Sequence, residues 1–186
     1  QLQKKLYQFL HERYQFYHEK LERIPFDIDI LNLITNGGLV RKTLTIIMAG
    51  TGVGKSLAMC HMASANLAMG YNVLYITAEM AEERIAERID ANLLDVPLDQ
   101  IVNLSKPMFK DRVGKLASKT NGKLIIKEYP TAQAHSGHFR ALLNELKLKK
   151  NFTPDIIYID YLNICASARI KSMGGAINSY SYIKAI

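Results

Sequence analysis

Apolar and polar residues recur along this chain in two rhythms. Over the first two dozen positions Leu2, Leu6, Leu10, Tyr14, Tyr17, Leu21 and Ile24 stand three or four apart among Lys, Glu, Arg and His. That period lays one apolar stripe along a helix of about six turns. Pro25 ends it, because the residue before a proline avoids helical backbone. A helix outside the core that follows must cover its stripe, either on its own domain or on a neighbouring subunit. The pattern leaves both open.

After Gly37 and Gly38 short apolar runs alternate with longer amphipathic stretches. Leu44–Met48 reads as a buried strand, apolar, β-branched and followed at once by a Gly-rich loop. Ser56–Met69 has helical periodicity and stops at Gly70, a residue suited to closing a helix C-terminus. Asn72–Thr77 is a second strand and Ala81–Leu94 a second helix. Leu124–Lys127 is a third strand, His138–Lys150 a third helix and Ile156–Asp160 a fourth strand. Continuous apolar strands separated by helices predict an α/β domain with a mostly parallel sheet covered on both faces. The chain thus divides into an amphipathic helix over 1–24 and an α/β core over 25–186. It contains no internal repeats and no low-complexity tracts.

Composition narrows the class. The 186 residues are 48% hydrophobic and 22% charged, ordinary for a soluble globular protein with one sizeable core. No apolar run approaches the ~18 residues of a membrane span, and charges scattered through the first twenty positions exclude a secretory signal. Cys60 and Cys165 form no C-x-x-C pair or disulfide framework, which fits a reducing cytosol. The net charge of +7 permits a polyanionic partner without demanding one.

The chemistry concentrates at Ala49-Gly-Thr-Gly-Val-Gly-Lys-Ser56, between the first predicted core strand and helix. A phosphate loop has the form Gly, four residues, then Gly-Lys-Ser/Thr. Here Ala49 replaces the first glycine, a change small enough to keep the loop's shape. Gly50, Thr51, Gly52, Val53 and Gly54 supply a tight turn whose N–H groups form an anion nest, and the following helix adds its positive end. Lys55 then reaches the β- and γ-phosphates of a nucleoside triphosphate, and the Ser56 hydroxyl ligates Mg²⁺. Asp160 ends the run Ile156-Ile-Tyr-Ile, at the carboxyl edge of a predicted parallel strand, where it faces the same crevice and can hold Mg²⁺ directly or through water. Glu79 follows the Asn72–Thr77 strand. There a carboxylate can activate the attacking water, or simply open the next helix; periodicity does not choose.

Taken together, the phosphate loop, Glu79-Met80 after a strand and Ile159-Asp160-Tyr161-Leu162 at the end of another resemble motifs of the DnaB-type replicative DNA helicases within the RecA-like superfamily. Asn72-Val-Leu-Tyr-Ile76, Glu79-Met-Ala-Glu-Glu83, Arg88-Ile-Asp-Ala-Asn92 and Leu142-Leu-Asn-Glu-Leu-Lys-Leu-Lys-Lys150 look like the subgroup found in T-even-type phages. The resemblance covers nearly the whole chain from Pro25 onward. It implies a RecA-like core and a homo-hexameric ring with ATP at subunit interfaces. It also implies ATP hydrolysis coupled to translocation on single-stranded DNA and to duplex unwinding in the bacterial cytoplasm. It makes Glu79 the catalytic base, Lys55 and Ser56 the phosphate and Mg²⁺ contacts, Asp160 the second Mg²⁺ contact, and the 1–24 helix a linker that docks on the adjacent subunit. Primase and a helicase loader are the further partners it suggests.

The loop after the Asp160 strand, carrying Arg169 and Lys171, faces DNA in such rings, and a basic Gly-containing loop suits backbone phosphates. The sequence alone equally fits an ordinary solvated loop. His135 and His138 read as surface residues at a helix start. The family's sensor residue and arginine finger follow the Asp160 strand, and the chain stops at Ile186, so the core is expected to be truncated, binding ATP but turning it over slowly. The alternatives are another RecA-like ATPase, a strand-exchange recombinase or a circadian-type ATPase, and a non-enzymatic ATP-binding loader.

Overall fold

The computed structural model describes residues 9–15, 18, 22–50, 52–130, 133–161 and 165. The chain divides into two compact units, Gln1–Ile46 and Ile47–Ile186.

In the first unit residues 9–15 are helical, as the N-terminal stripe predicts, and Leu10 and Tyr14 of that stripe are exposed. The helix does not run to Ile24. Arg23–Ile24 forms a short strand, β1, antiparallel to β2 (Leu39–Val40). The cause lies in Pro25, which forces Ile24 into extended backbone and so places it in the conformation a ladder needs. Between the two strands runs α1 (Asp29–Ile34). The Arg23 guanidinium donates to the carbonyls of Thr35 and Gly38, and the Phe26 amide to Asn32 Oδ1. Gly38 is required here: its φ is +124° and a Cβ would collide with the Ile24 carbonyl.

The second unit carries α2 (Lys55–Ala68), β3 (Val73–Thr77), α3 (Glu82–Leu93), α4 (Leu98–Ile101), α5 (Lys106–Ala117), β4 (Leu124–Glu128), α6 (Ser136–Lys150) and β5 (Ile156–Asp160). β3 lies at the centre of a three-stranded sheet, parallel to β4 on one side and β5 on the other. All five β3 residues are buried, because helices cover both faces of the sheet. Side chains alternate across it. Leu74 and Ile76 pack with Leu142 and Leu146 of α6 and with Phe152, while Tyr75 points to the opposite face, toward α2. Gly70, with φ +94°, closes α2 as the sequence predicts. His135 caps α6 by accepting from the Gly137 amide, and Lys147, Lys149 and Lys150 occupy its last turn.

Two features depart from the pattern reading. The apolar pattern does not predict helices α4 and α5, although Pro97 precedes the first and Ser105 with Pro107 opens the second. The predicted strand Leu44–Met48 is irregular chain without ladder pairing, with Leu44 and Met48 more than three-quarters exposed. An apolar run becomes a strand only when a neighbour takes its backbone hydrogen bonds. No described strand does so here.

Candidate phosphate and metal site

The loop predicted to cradle phosphate enters α2 with its helical half in place. Gly54 is the N-terminal cap of α2 in left-handed backbone (φ +101°), and Gly52 has φ +74°. A Cβ on either would meet nothing within 4 Å, so the glycines serve backbone shape and an open approach rather than packing. Among the described residues no side chain caps α2, which leaves its first-turn N–H groups open to an anion. Lys55 is half-buried, and its Nζ donates to the carbonyls of Ala49 (3.2 Å) and Gly50 (2.9 Å). The ammonium therefore already lies folded back over the loop that would hold the phosphates. Ser56 is half-buried in the first turn. Thr51 lies outside the described residues, as do Arg169 and Lys171. The strand expected before the loop is the irregular segment described above.

Behind the loop is a buried polar cluster on the α2 face of the sheet. Strand register sets Tyr75 opposite Tyr158 and Thr77 opposite Asp160. The two tyrosine rings stack at 5.9 Å with planes 21° apart. The Tyr75 hydroxyl donates to Asp160 Oδ2 at 3.0 Å and accepts from Cys60 Sγ at 3.9 Å; the Tyr158 hydroxyl donates to Asn66 Oδ1 at 2.6 Å. Burial pushes the Tyr75 hydroxyl far above its ordinary range, reinforced by the adjacent Cys60 and Asp160, so it remains a proton donor. Burial also raises the Cys60 thiol.

Asp160 is 1% exposed, and its Oδ1 has no hydrogen-bond partner among the described residues. A buried carboxylate oxygen left unpaired costs free energy unless something positive compensates it. A divalent cation fits that requirement, and hard oxygen donors are what Mg²⁺ takes. Ser56 is the natural second donor. It precedes Cys60 by four residues and so lies on the same face of α2, about 6 Å along the axis toward the loop. Cys60 in turn touches the tyrosine that holds Asp160. The residues present thus suit Mg²⁺.

Glu79 stands at the other side of the same sheet edge. It is exposed, in a bend between β3 and α3, and it does not begin the helix, which starts at Glu82. Two anchors fix the bend. The Thr77 hydroxyl donates to the Met80 carbonyl (2.8 Å) and accepts from the Met80 amide (3.1 Å), and the Ala78 amide donates to the Asp160 carbonyl (2.9 Å). Asp160 and Glu79 are therefore coupled through a few bonds at the carboxyl ends of β3 and β5. Sequence reasoning overlooked Tyr75 and Thr77. Their signal was two hydroxyls at alternate positions of an otherwise apolar strand, hence on one face.

Among the described residues no helix is long and apolar enough to cross a membrane. The family model described as DnaB-like helicase C terminal domain matches residues 24–182. A DnaB-like replicative helicase of Enterobacteria phage T4 is 51% identical over 177 residues, 94% of this chain and 37% of that relative's length. The chain therefore spans little more than a third of it. DNA repair protein RadA of Rickettsia felis is 34% identical over 106 residues, 56% of this chain and 23% of its own length. RadA of Campylobacter jejuni is 36% identical over 77 residues, 40% of this chain and 17% of its own. The RadA proteins are distant RecA-like relatives.

Proposed function

This chain belongs to the DnaB-like helicase C-terminal domain family, and from that premise we propose that it is the ATP-binding core of a replicative DNA helicase. The nucleotide's phosphates lie on the loop of Gly50, Thr51, Gly52, Val53 and Gly54 and on the α2 N-terminus, with Lys55 turning from its two loop carbonyls to the β- and γ-phosphates. Ser56 and Asp160 hold Mg²⁺, which when bound neutralises charge on the transferring phosphoryl group. Glu79, exposed on its anchored bend, accepts a proton from the attacking water. The observation that carries this reading is Asp160: a buried carboxylate at the sheet edge with one oxygen unpartnered among the described residues.

Binding alone requires no water-activating carboxylate, so Glu79 beside this site favours an ATPase over a pure binding module. The whole protein works as a homo-hexamer on single-stranded DNA in the bacterial cytoplasm, with primase and a helicase loader as further partners. The exposed Leu10 and Tyr14 of the N-terminal helix support docking of that helix on a neighbouring subunit. Arg169 and Lys171 contact the DNA backbone. The test is ATP turnover by the full-length protein with and without single-stranded DNA, beside an unwinding assay on a forked duplex. DNA-stimulated turnover with unwinding supports the reading. Strand exchange without unwinding transfers the chain to the recombinase function.

A further inference from the structure

Among the described residues the Tyr75 hydroxyl is the only group that hydrogen-bonds the Asp160 carboxylate, and it takes just one oxygen, Oδ2, at 3.0 Å. Three facts limit what else this bond can be for. Both partners are at most 1% exposed, so bulk solvent barely reaches the bond. The tyrosine ring is pinned by stacking on Tyr158, and its oxygen is approached from behind by Cys60 of α2. A phenol hydroxyl donates and a carboxylate only accepts, so the bond has one sense, from tyrosine to carboxylate. A carboxylate held at one oxygen by a fixed donor has its second oxygen fixed in direction too.

The geometry points to Tyr75 as a positioning residue for the metal: by fixing Oδ2 it aims Asp160 Oδ1 at the cation and links that aim, through Cys60, to the helix bearing Lys55 and Ser56. This rests on the reading of Asp160 as a Mg²⁺ holder. Tyr75 touches neither metal nor nucleotide and acts only through the carboxylate. Without its hydroxyl, Oδ2 becomes a second unpaired buried acceptor, and the carboxylate rotates to share its charge differently. The site then needs more Mg²⁺ for the same nucleotide occupancy.

The experiment measures, in the full-length protein, the Mg²⁺ concentration at half-maximal binding of a non-hydrolysable ATP analogue, with thermal unfolding recorded alongside. Tyr75→Phe removes one oxygen and is expected to raise that midpoint roughly three- to tenfold, the scale of one ordinary hydrogen bond of about 1 kcal/mol net. Tyr158→Phe removes an equally buried hydroxyl whose bond goes to Asn66; it is expected to lower the unfolding temperature and leave the Mg²⁺ midpoint within twofold. Asp160→Asn tests the underlying reading and is expected to raise the midpoint more than tenfold. In the Asp160→Asn background Tyr75→Phe should have no further effect, since its route is gone. This pair also removes the buried charge, so it informs even if Tyr75→Phe alone folds poorly. An unchanged midpoint in Tyr75→Phe while Asp160→Asn shifts overturns the positioning role. Equal shifts from Tyr75→Phe in both backgrounds overturn it too. An unchanged midpoint in Asp160→Asn instead sinks the metal assignment, and the inference falls with it.

Discussion

Thr77→Val removes one oxygen from a fully buried residue and leaves its shape nearly intact, so it isolates what the hydroxyl does. That hydroxyl makes two bonds to one residue, donating to the Met80 carbonyl and accepting from the Met80 amide. Valine fills the same space, so no cavity forms and the loss is confined to those bonds. Net contributions of about 1 kcal/mol per hydrogen bond would sum to ~2 kcal/mol. Met80 is half-buried, so water replaces part of this, and a loss of about 1–2 kcal/mol is expected. For a protein of this size that lowers the unfolding temperature by about 2–8 °C. The larger effect should fall on function. The bend from Ala78 to Met80 carries Glu79, and a displacement of about 1 Å in a positioned catalytic group costs on the order of 10²-fold. Turnover should therefore fall about tenfold to a hundredfold while nucleotide affinity holds. Thr77→Ser keeps the hydroxyl and should restore most of the turnover. The assay pairs calorimetric unfolding with steady-state ATP hydrolysis by the assembled protein. Wild-type turnover in Thr77→Val, despite the stability loss, would show that Glu79 does not depend on this anchor and refute the reasoning.

Lys55→Ala should reduce nucleotide affinity by two or more orders of magnitude, roughly the scale of losing a charge-assisted phosphate contact, with an unfolding temperature near wild type because Lys55 is only half-buried; unchanged affinity in a folded variant would reject the loop assignment. Glu79→Gln should retain nucleotide and lose turnover by about 10²–10⁴, read from binding and single-turnover measurements together; loss of binding as well would make Glu79 structural. Asp90 is an acid whose burial raises its pKa, so its ionised form opposes folding. Stability from this group is then fullest below the carboxylate range and declines as pH rises through the unfolded and then the folded pKa. Asp90→Asn should accordingly raise the unfolding temperature at neutral pH, with the gain shrinking as pH falls through that range. A gain that is constant with pH would assign the effect to something other than charge.

Much of this protein is local enough to be read from order alone. The helices α2, α3 and α6 and the strands β3, β4 and β5 follow from apolar period and punctuation, since Gly70 stops one helix and cations gather at the end of another. The candidate phosphate loop is legible because glycine spacing and a following helix are properties of consecutive residues. Asp160 is legible because a single acid at the end of an apolar strand has few structural reasons to be there.

What tertiary structure decided is whatever depends on a neighbour. Leu44–Met48 has strand composition, yet without a paired strand its residues stay exposed and irregular. Ile24 carries the helical stripe in sequence, yet joins β1 because Leu39 lies beside it and Pro25 extends it. Tyr75 and Asp160 are 85 positions apart, and only the parallel register of β3 with β5 makes one the holder of the other. Glu79 reads equally as a helix start or a base; the Thr77–Met80 bonds settle it into a bend ahead of the helix. Propensity acts through a residue's own backbone and is written in the sequence, whereas hydrogen bonds between distant segments exist only once packing has brought both ends together.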